Sequence, residues 1–264
     1  MESLRYLYKI GVGPSSSHTY GPMVAAKIIK EKYEQATHVE VTLYGSLALT
    51  GKGHLTDYII EKTLQPLTCS FHFVSQALEF HPNGMKFEIY QDEQKLDEVV
   101  AYSVGGGKIV MPGAEQVQEV EVYPHRSMRE VIQYIEEKKI SFYDYILEYE
   151  DETIESYLEE VIDTMFACVE KGLSTTGIIP GKLQLKRVAK TMNEQASKMV
   201  KESEKERLLV SSYAYAVSEE NASGQTIVTA PTCGASGVIP AVLYYCYHDL
   251  KIDKKQLIEA LAVG

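Results

Sequence analysis

No two cysteines of the 264 residues stand in a C-x-x-C pair. Cys69, Cys168, Cys233 and Cys246 are widely spaced, which supplies no zinc motif and suits a reducing compartment. An excess of cations is missing too. The net charge is −11 and the pI is near 5.2, which argues against nucleic acid or an anionic membrane surface as main partner. No run approaches the about 20 apolar residues of a membrane span, and MESLRYLYK lacks a signal-peptide core. The expected location is therefore the cytoplasm, with no membrane and no nucleic-acid partner. Tryptophan is absent beside 19 tyrosines, a bias without a functional reading. Neither GxxxxGK[ST] nor a post-strand GxGxxG occurs, which counts against a phosphate-handling enzyme. What is present, 45% hydrophobic residues, allows a substantial core in one large domain or two ordinary ones.

The stretch Gly11–Pro22 (GVGPSSSHTYGP) stands out. Ser15, Ser16, Ser17 and Thr19 flank His18, and the density of glycine and proline excludes a regular helix or central strand across it. Gly21-Pro22 opens an apolar-periodic run (Met23, Ala26, Ile29, Tyr33), so a helix is expected over roughly 22–34. A polar loop ending in a helix N-terminus is a natural site for a carboxylate or phosphate. The same residues also suit a capped connector with surplus serines. Val39, Val41 and Leu43 alternate with polar residues and read as a strand. That strand leads into a second glycine-rich loop, where Gly51, Lys52 and Gly53 precede His54 and Thr56-Asp57 could cap a helix.

Met85, Phe87 and Ile89 predict a strand after the Pro82-Asn83-Gly84 turn. Further strands are expected over 97–104 and 107–111, with an edge strand over 117–123. Residues 1–124 thus read as an α+β domain, helices on a largely antiparallel sheet. From Ser127 the period becomes helical. Ile154, Leu158, Val161, Ile162 and Met165 mark a helix that Gly172 should terminate. A charged helix is expected over 186–207 and a more apolar one over Leu208–Ser218. Glu219–Gly224 should break the run, with a short β-branched segment at Thr226–Thr229. Residues 125–264 therefore read as an all-helical domain. Small residues at 232–237 lead into a helix near Val238, setting Cys233 and Ser236 beside its N-terminus. A thiol there should have a lowered pKa, suiting metal ligation or nucleophilic attack; close helix packing is the other reading.

Six segments, in order, resemble the iron–sulfur-dependent L-serine dehydratases (L-serine ammonia-lyases): Gly11–Pro22, Tyr44–Asp57 (YGSLALTGKGHLTD), Ser103–Gly107 (SVGGG), Gly172–Gly181 (GLSTTGIIPG), Ser218–Gly224 (SEENASG) and Thr229–Leu243 (TAPTCGASGVIPAVL). The resemblance implies an N-terminal α/β sandwich-like β domain, of the kind shared with an allosteric serine-binding domain of phosphoglycerate dehydrogenases. An all-helical catalytic α domain with a [4Fe–4S] cluster should follow it. It also implies conversion of L-serine to pyruvate and ammonia in serine catabolism, with a homodimer as the expected assembly. By position His54 matches the family's base, which Lys52 would bias toward the neutral form. Ser15, Ser16, Ser17, His18, Thr19, Lys52, Asn221 and Ser236 become substrate-positioning groups. Many members carry a cluster cysteine where this chain has Ser236, and Cys233, three residues earlier, becomes the candidate ligand. The chain stops at Leu261-Ala-Val-Gly264, inside an expected helix, so the α domain reads as incomplete and the remaining cluster ligands are expected beyond residue 264. A non-catalytic serine-binding or regulatory module is the alternative.

Overall fold

The computed structural model describes residues 1–113, 121–181 and 183–264. Seven strands are defined among them: β1 (Lys9–Val12), β2 (His38–Tyr44), β3 (Thr68–Val74), β4 (Gly84–Gln91), β5 (Gln94–Gly105), β6 (Lys108–Val110) and β7 (Thr226–Thr229). The α-helices are α1 (Leu4–Leu7), α2 (Gly21–Lys32), α3 (Gly45–Thr50), α4 (Thr56–Leu64), α5 (Met128–Lys138), α6 (Phe142–Tyr149), α7 (Ile154–Ser174), α8 (Ala189–Ala196), α9 (Glu202–Ala222), α10 (Val238–His248) and α11 (Lys254–Val263). The mixture is the α+β fold that the patterning predicts.

The chain forms two compact units, one comprising Val12–Val117 with Ser223–Gln225, the other Met1–Gly11, Gln118–Ala222 and Thr226–Gly264. The first is a five-stranded sheet in the order β3-β2-β4-β5-β6. β2 runs parallel to β3 through the α3–α4 crossover, and β4, β5 and β6 add antiparallel neighbours. Period-2 alternation sends Val39, Val41 and Leu43 of β2 and Met85, Phe87 and Ile89 of β4 to one face, where all six are fully buried. Ala25, Ala26 and Ile29 of α2 and Ile60 and Leu64 of α4 complete that core. Burying an aliphatic side chain stabilises by about 1.5–3 kcal/mol, so this alternation fixes which face the helices cover and which ends of them carry the loops. The sheet extends to Val110. Residues 117–120 of the expected edge strand lie outside the described residues, and Glu121 forms an isolated antiparallel bridge with Glu2.

The second unit is built around α7 and α9. Leu158, Val161, Ile162, Met165 and Val169 of α7 are buried in its core with Tyr213 and Val217 of α9. Gly172 does not end α7, which continues to Ser174. A Cβ at Gly172 would lie 2.3 Å from the Ala216 carbonyl oxygen, so the glycine is there to let α9 pass against the α7 backbone. The expected single helix over 186–207 is interrupted between α8 and α9, and α9 runs on through Glu219–Ala222, where a break was expected. This unit is not purely helical. β1 pairs with β7 in a two-stranded sheet, which groups Met1–Gly11 with the helices rather than with the larger sheet. No helix among the described residues is long and apolar enough to cross a membrane.

Candidate active site

Two loops of the sheet unit meet at a pair of histidines. Gly11–Pro22 is not irregular throughout. Ser15 is extended, and its hydroxyl accepts from the His18 amide at 3.1 Å. This caps one π-helical turn over Ser16–Tyr20 that runs directly into α2. Such a capped turn satisfies amides that a helix start leaves without partners. Gly107 explains why the SVGGG segment accompanies this loop. Its φ is +77°, and a Cβ there would lie 2.2 Å from the Tyr20 ring, so only glycine fits.

The second loop is the 3₁₀ turn Gly51–His54 between α3 and α4. The His18 and His54 rings lie 4.8 Å apart between centroids and are tilted by 38°. His18 is held at both nitrogens, with Ser17 Oγ 2.9 Å from Nδ1 and Ser46 Oγ 2.8 Å from Nε2. Ser46 was not singled out from the sequence, although it lies in the Tyr44–Asp57 segment. His54 Nδ1 lies 3.0 Å from the Thr50 carbonyl oxygen. A carbonyl only accepts, so His54 Nδ1 carries the hydrogen and neutral His54 presents its lone pair at Nε2. Burial, and then the charge of His54, lowers the His18 pKa. Two imidazolium ions at this separation repel one another.

The other expected site residues of this unit fare differently. Ser16 and Ser17 are half-buried on the turn. The Ser15 hydroxyl is occupied as the cap. Thr19 is 1% exposed, and its hydroxyl donates to the His54 carbonyl oxygen at 2.6 Å, which ties it to the neighbouring loop. Lys52 places Nζ 4.9 Å from the centre of the Phe73 ring, a cation–π contact.

Asn221, Cys233 and Ser236 belong to the helical unit. Asn221 is the penultimate residue of α9, and its Oδ1 is buried with no hydrogen-bond partner among the described residues. Buried polar atoms are nearly always paired, and the Ser103 hydroxyl of the sheet unit is a second such atom among the described residues. Cys233 is 2% exposed, and burial raises its thiol to about 11. This is opposite to the lowered value expected beside a helix N-terminus, because desolvation penalises the thiolate. Ser236 is buried and donates to the Cys233 carbonyl oxygen at 2.7 Å, so its hydroxyl serves the turn that precedes α10. A Cβ at Gly237 would lie 2.8 Å from the Ala214 carbonyl oxygen, so close helix packing accounts for the small residue there.

The residues before Asn221 form an ion cluster that the sequence did not reveal. Arg187 Nη1 lies 2.5 Å from Glu220 Oε1 and 3.9 Å from Glu219 Oε2, with all three side chains buried. Glu219 Oε1 also accepts the amides of Val188 and Ala189. Two adjacent glutamates in a helix with mostly apolar neighbours were the available signal, since buried acids need a cation and donors.

Cys233 is the single candidate thiol in a matching segment, and no group of three or more His, Cys, Asp or Glu side chains among the described residues could hold a metal ion. Iron–sulfur clusters need four ligands, or three with one open position. The donor set described here does not fit a [4Fe–4S] cluster.

Fold and site thus define a two-unit α+β protein with a hydroxyl-lined histidine pair in its sheet unit. The family model for the serine dehydratase alpha chain matches residues 21–264, and the chain belongs to that family. It is 34% identical to L-serine dehydratase 1 of Escherichia coli K12 over 94% of this chain and 66% of the relative. The L-serine dehydratases of Haemophilus influenzae and Streptomyces coelicolor are 34% and 35% identical, over 93% and 90% of this chain and 66% and 64% of theirs. The chain spans about two thirds of the length of these curated relatives. The E. coli alignment runs over 302 positions, more than the chain's 264 residues, so that relative has residues inserted within the matched region.

Proposed function

We propose that the chain is part of an L-serine ammonia-lyase, and that the His18–His54 site handles the substrate. The observation that carries this reading is the tautomer of His54. The Thr50 carbonyl holds the hydrogen on Nδ1 and leaves Nε2 basic, as removal of an α-proton requires. The Ser16 and Ser17 hydroxyls take the carboxylate, with His18, held at both nitrogens, fixing Ser17 in place, and so orient the Cα–H bond toward His54. The α-proton and β-hydroxyl leave as water overall, and the resulting aminoacrylate tautomerises and hydrolyses to pyruvate and ammonia. None of these roles depends on the cluster that the resemblance implies, for which the described residues offer no ligand set.

The relatives' names support serine as substrate, and the small residues of the loops suit a small hydroxy amino acid. The test is serine-dependent pyruvate release, measured anaerobically with and without added iron and sulfide. Release is expected, with His54→Ala lowering it by about 10²–10⁴-fold, the usual contribution of a general base. Ser16→Ala should raise KM. Serine binding without pyruvate release under both conditions would overturn the lyase reading in favour of a binding module.

A further inference from the structure

Between the two loops runs a reciprocal pair of hydrogen bonds. The Thr19 hydroxyl donates to the His54 carbonyl oxygen at 2.6 Å, and the Thr56 hydroxyl donates to the His18 carbonyl oxygen at 2.5 Å. Each threonine adjoins, or lies two residues from, one histidine, and each reaches the backbone of the other. Both threonines are buried, at 1% and 0% exposure. A buried hydroxyl must find an acceptor. Threonine in a helix commonly uses the carbonyl four residues back, as Thr63 does in α4 with Ile59. Thr56, the first residue of α4, instead spans to the other loop.

The backbone is arranged to permit this. Leu55, between His54 and Thr56, has φ +59° and ψ +31°, and α4 starts there without a side-chain cap. A non-glycine residue in this left-handed region is disfavoured and persists only where its surroundings impose it. The turn at Leu55 lets the His54 carbonyl and the Thr56 hydroxyl both engage the same neighbouring segment. The Thr19 hydroxyl also accepts from the Ser15 amide at 3.2 Å, linking the clasp to the cap of the π-helical turn.

We propose that Thr19 and Thr56 are positioning residues whose crossed hydrogen bonds hold the His18 and His54 loops in register. Neither hydroxyl touches substrate. Together they set the 4.8 Å ring separation, and with it the direction of His54 Nε2. Their effect on turnover rests on the serine-lyase reading; their effect on the histidine pair does not.

The experiment compares wild-type chain with Thr19→Val, Thr56→Val, Thr19→Ser and Thr56→Ser. The first reading is the nuclear Overhauser effect between the His18 and His54 ring protons. The second is kcat and KM for L-serine. The valines keep the shape but lose the hydroxyl, so the ring-to-ring signal should be lost. kcat should then fall by about 10- to 10²-fold, the penalty for about 1 Å of misplacement, with KM changed less than kcat. The serines restore the hydroxyl, and with it both readings. If a valine variant does not fold, the alanine variant replaces it, removing the hydroxyl while leaving room. An unchanged ring signal in the valine or alanine variants would overturn the clasp, as would failure of serine to rescue. If wild type itself does not turn over serine, the lyase reading fails while the ring signal still decides the clasp.

Discussion

His18 shows how much one residue's surroundings matter. Its ring is half-buried, bonded at both nitrogens and close to a second imidazole, and its pKa is lowered from the ordinary 6.5 by burial and then by His54. The unfolded chain therefore binds a proton that the folded chain resists. Stability rises with pH where the unfolded state holds more protons. The contribution of His18 is thus fully present above pH 6.5 and is lost as pH falls from there through the lower folded value. His18→Gln, which keeps hydrogen-bonding capacity but does not titrate, should flatten this part of the acid limb in thermal melts between pH 7.5 and 5. An unchanged slope would show that another group titrates there. At this scale the sequence was partly legible. His18 and His54 were recognisable by residue type within glycine-rich loops. Ser46 was not, nor was the burial of Thr19 or Cys233, because exposure depends on partners far along the chain.

Among elements, the crossing of α7 and α9 separates what periodicity can reveal from what it cannot. The i, i+3, i+4 pattern of Ile154, Leu158, Val161, Ile162 and Met165 identified α7 and its buried face. Gly172 was expected to stop the helix, since glycine favours helix ends. Its function is instead to admit the Ala216 backbone of α9, 2.3 Å from where a Cβ would stand. Chain sequence near a glycine does not distinguish these causes; only the neighbour does. The interruption between α8 and α9 was missed for a related reason. Residues 197–201 contain no glycine or proline, and the run of helix-forming residues continues across them. Gly172→Ala tests the crossing. Gly172 has no positive φ and so carries no end-capping strain, whereas overpacking against backbone costs about 1–3 kcal/mol. That loss is expected in urea denaturation, and a change of only a few tenths would show that the α9 backbone does not press on this position.

For the whole molecule, the central fact is that Met1–Gly11 packs with the helices. Hydrophobic alternation located the sheet unit, and helical periodicity located the second unit. Nothing in the first eleven residues announced that they belong with the helices, because their partners lie more than 100 residues away and closing such loops leaves no local signature. Glu150 receives the Ser3 hydroxyl at 2.6 Å and the Leu4 amide at 2.7 Å. Tyr8, 2% exposed, donates its hydroxyl to the Leu261 carbonyl oxygen of α11 at 3.0 Å, and its own carbonyl accepts from the Tyr157 hydroxyl of α7. One aromatic ring thus ties the segment Met1–Gly11 to α11 and α7 within the same unit. Tyr8→Phe removes only the hydrogen bond and should cost about 1 kcal/mol. Tyr8→Ala also opens a cavity, and loss of a buried large aromatic costs about 3–5 kcal/mol. Hydrogen exchange read by mass spectrometry should show α7 and α11 losing protection in Tyr8→Ala while β2 and β4 keep theirs. Equal loss in β2 and β4 would mean that the two units unfold as one, and unchanged protection in α11 would show that Tyr8 does not hold the helical unit together.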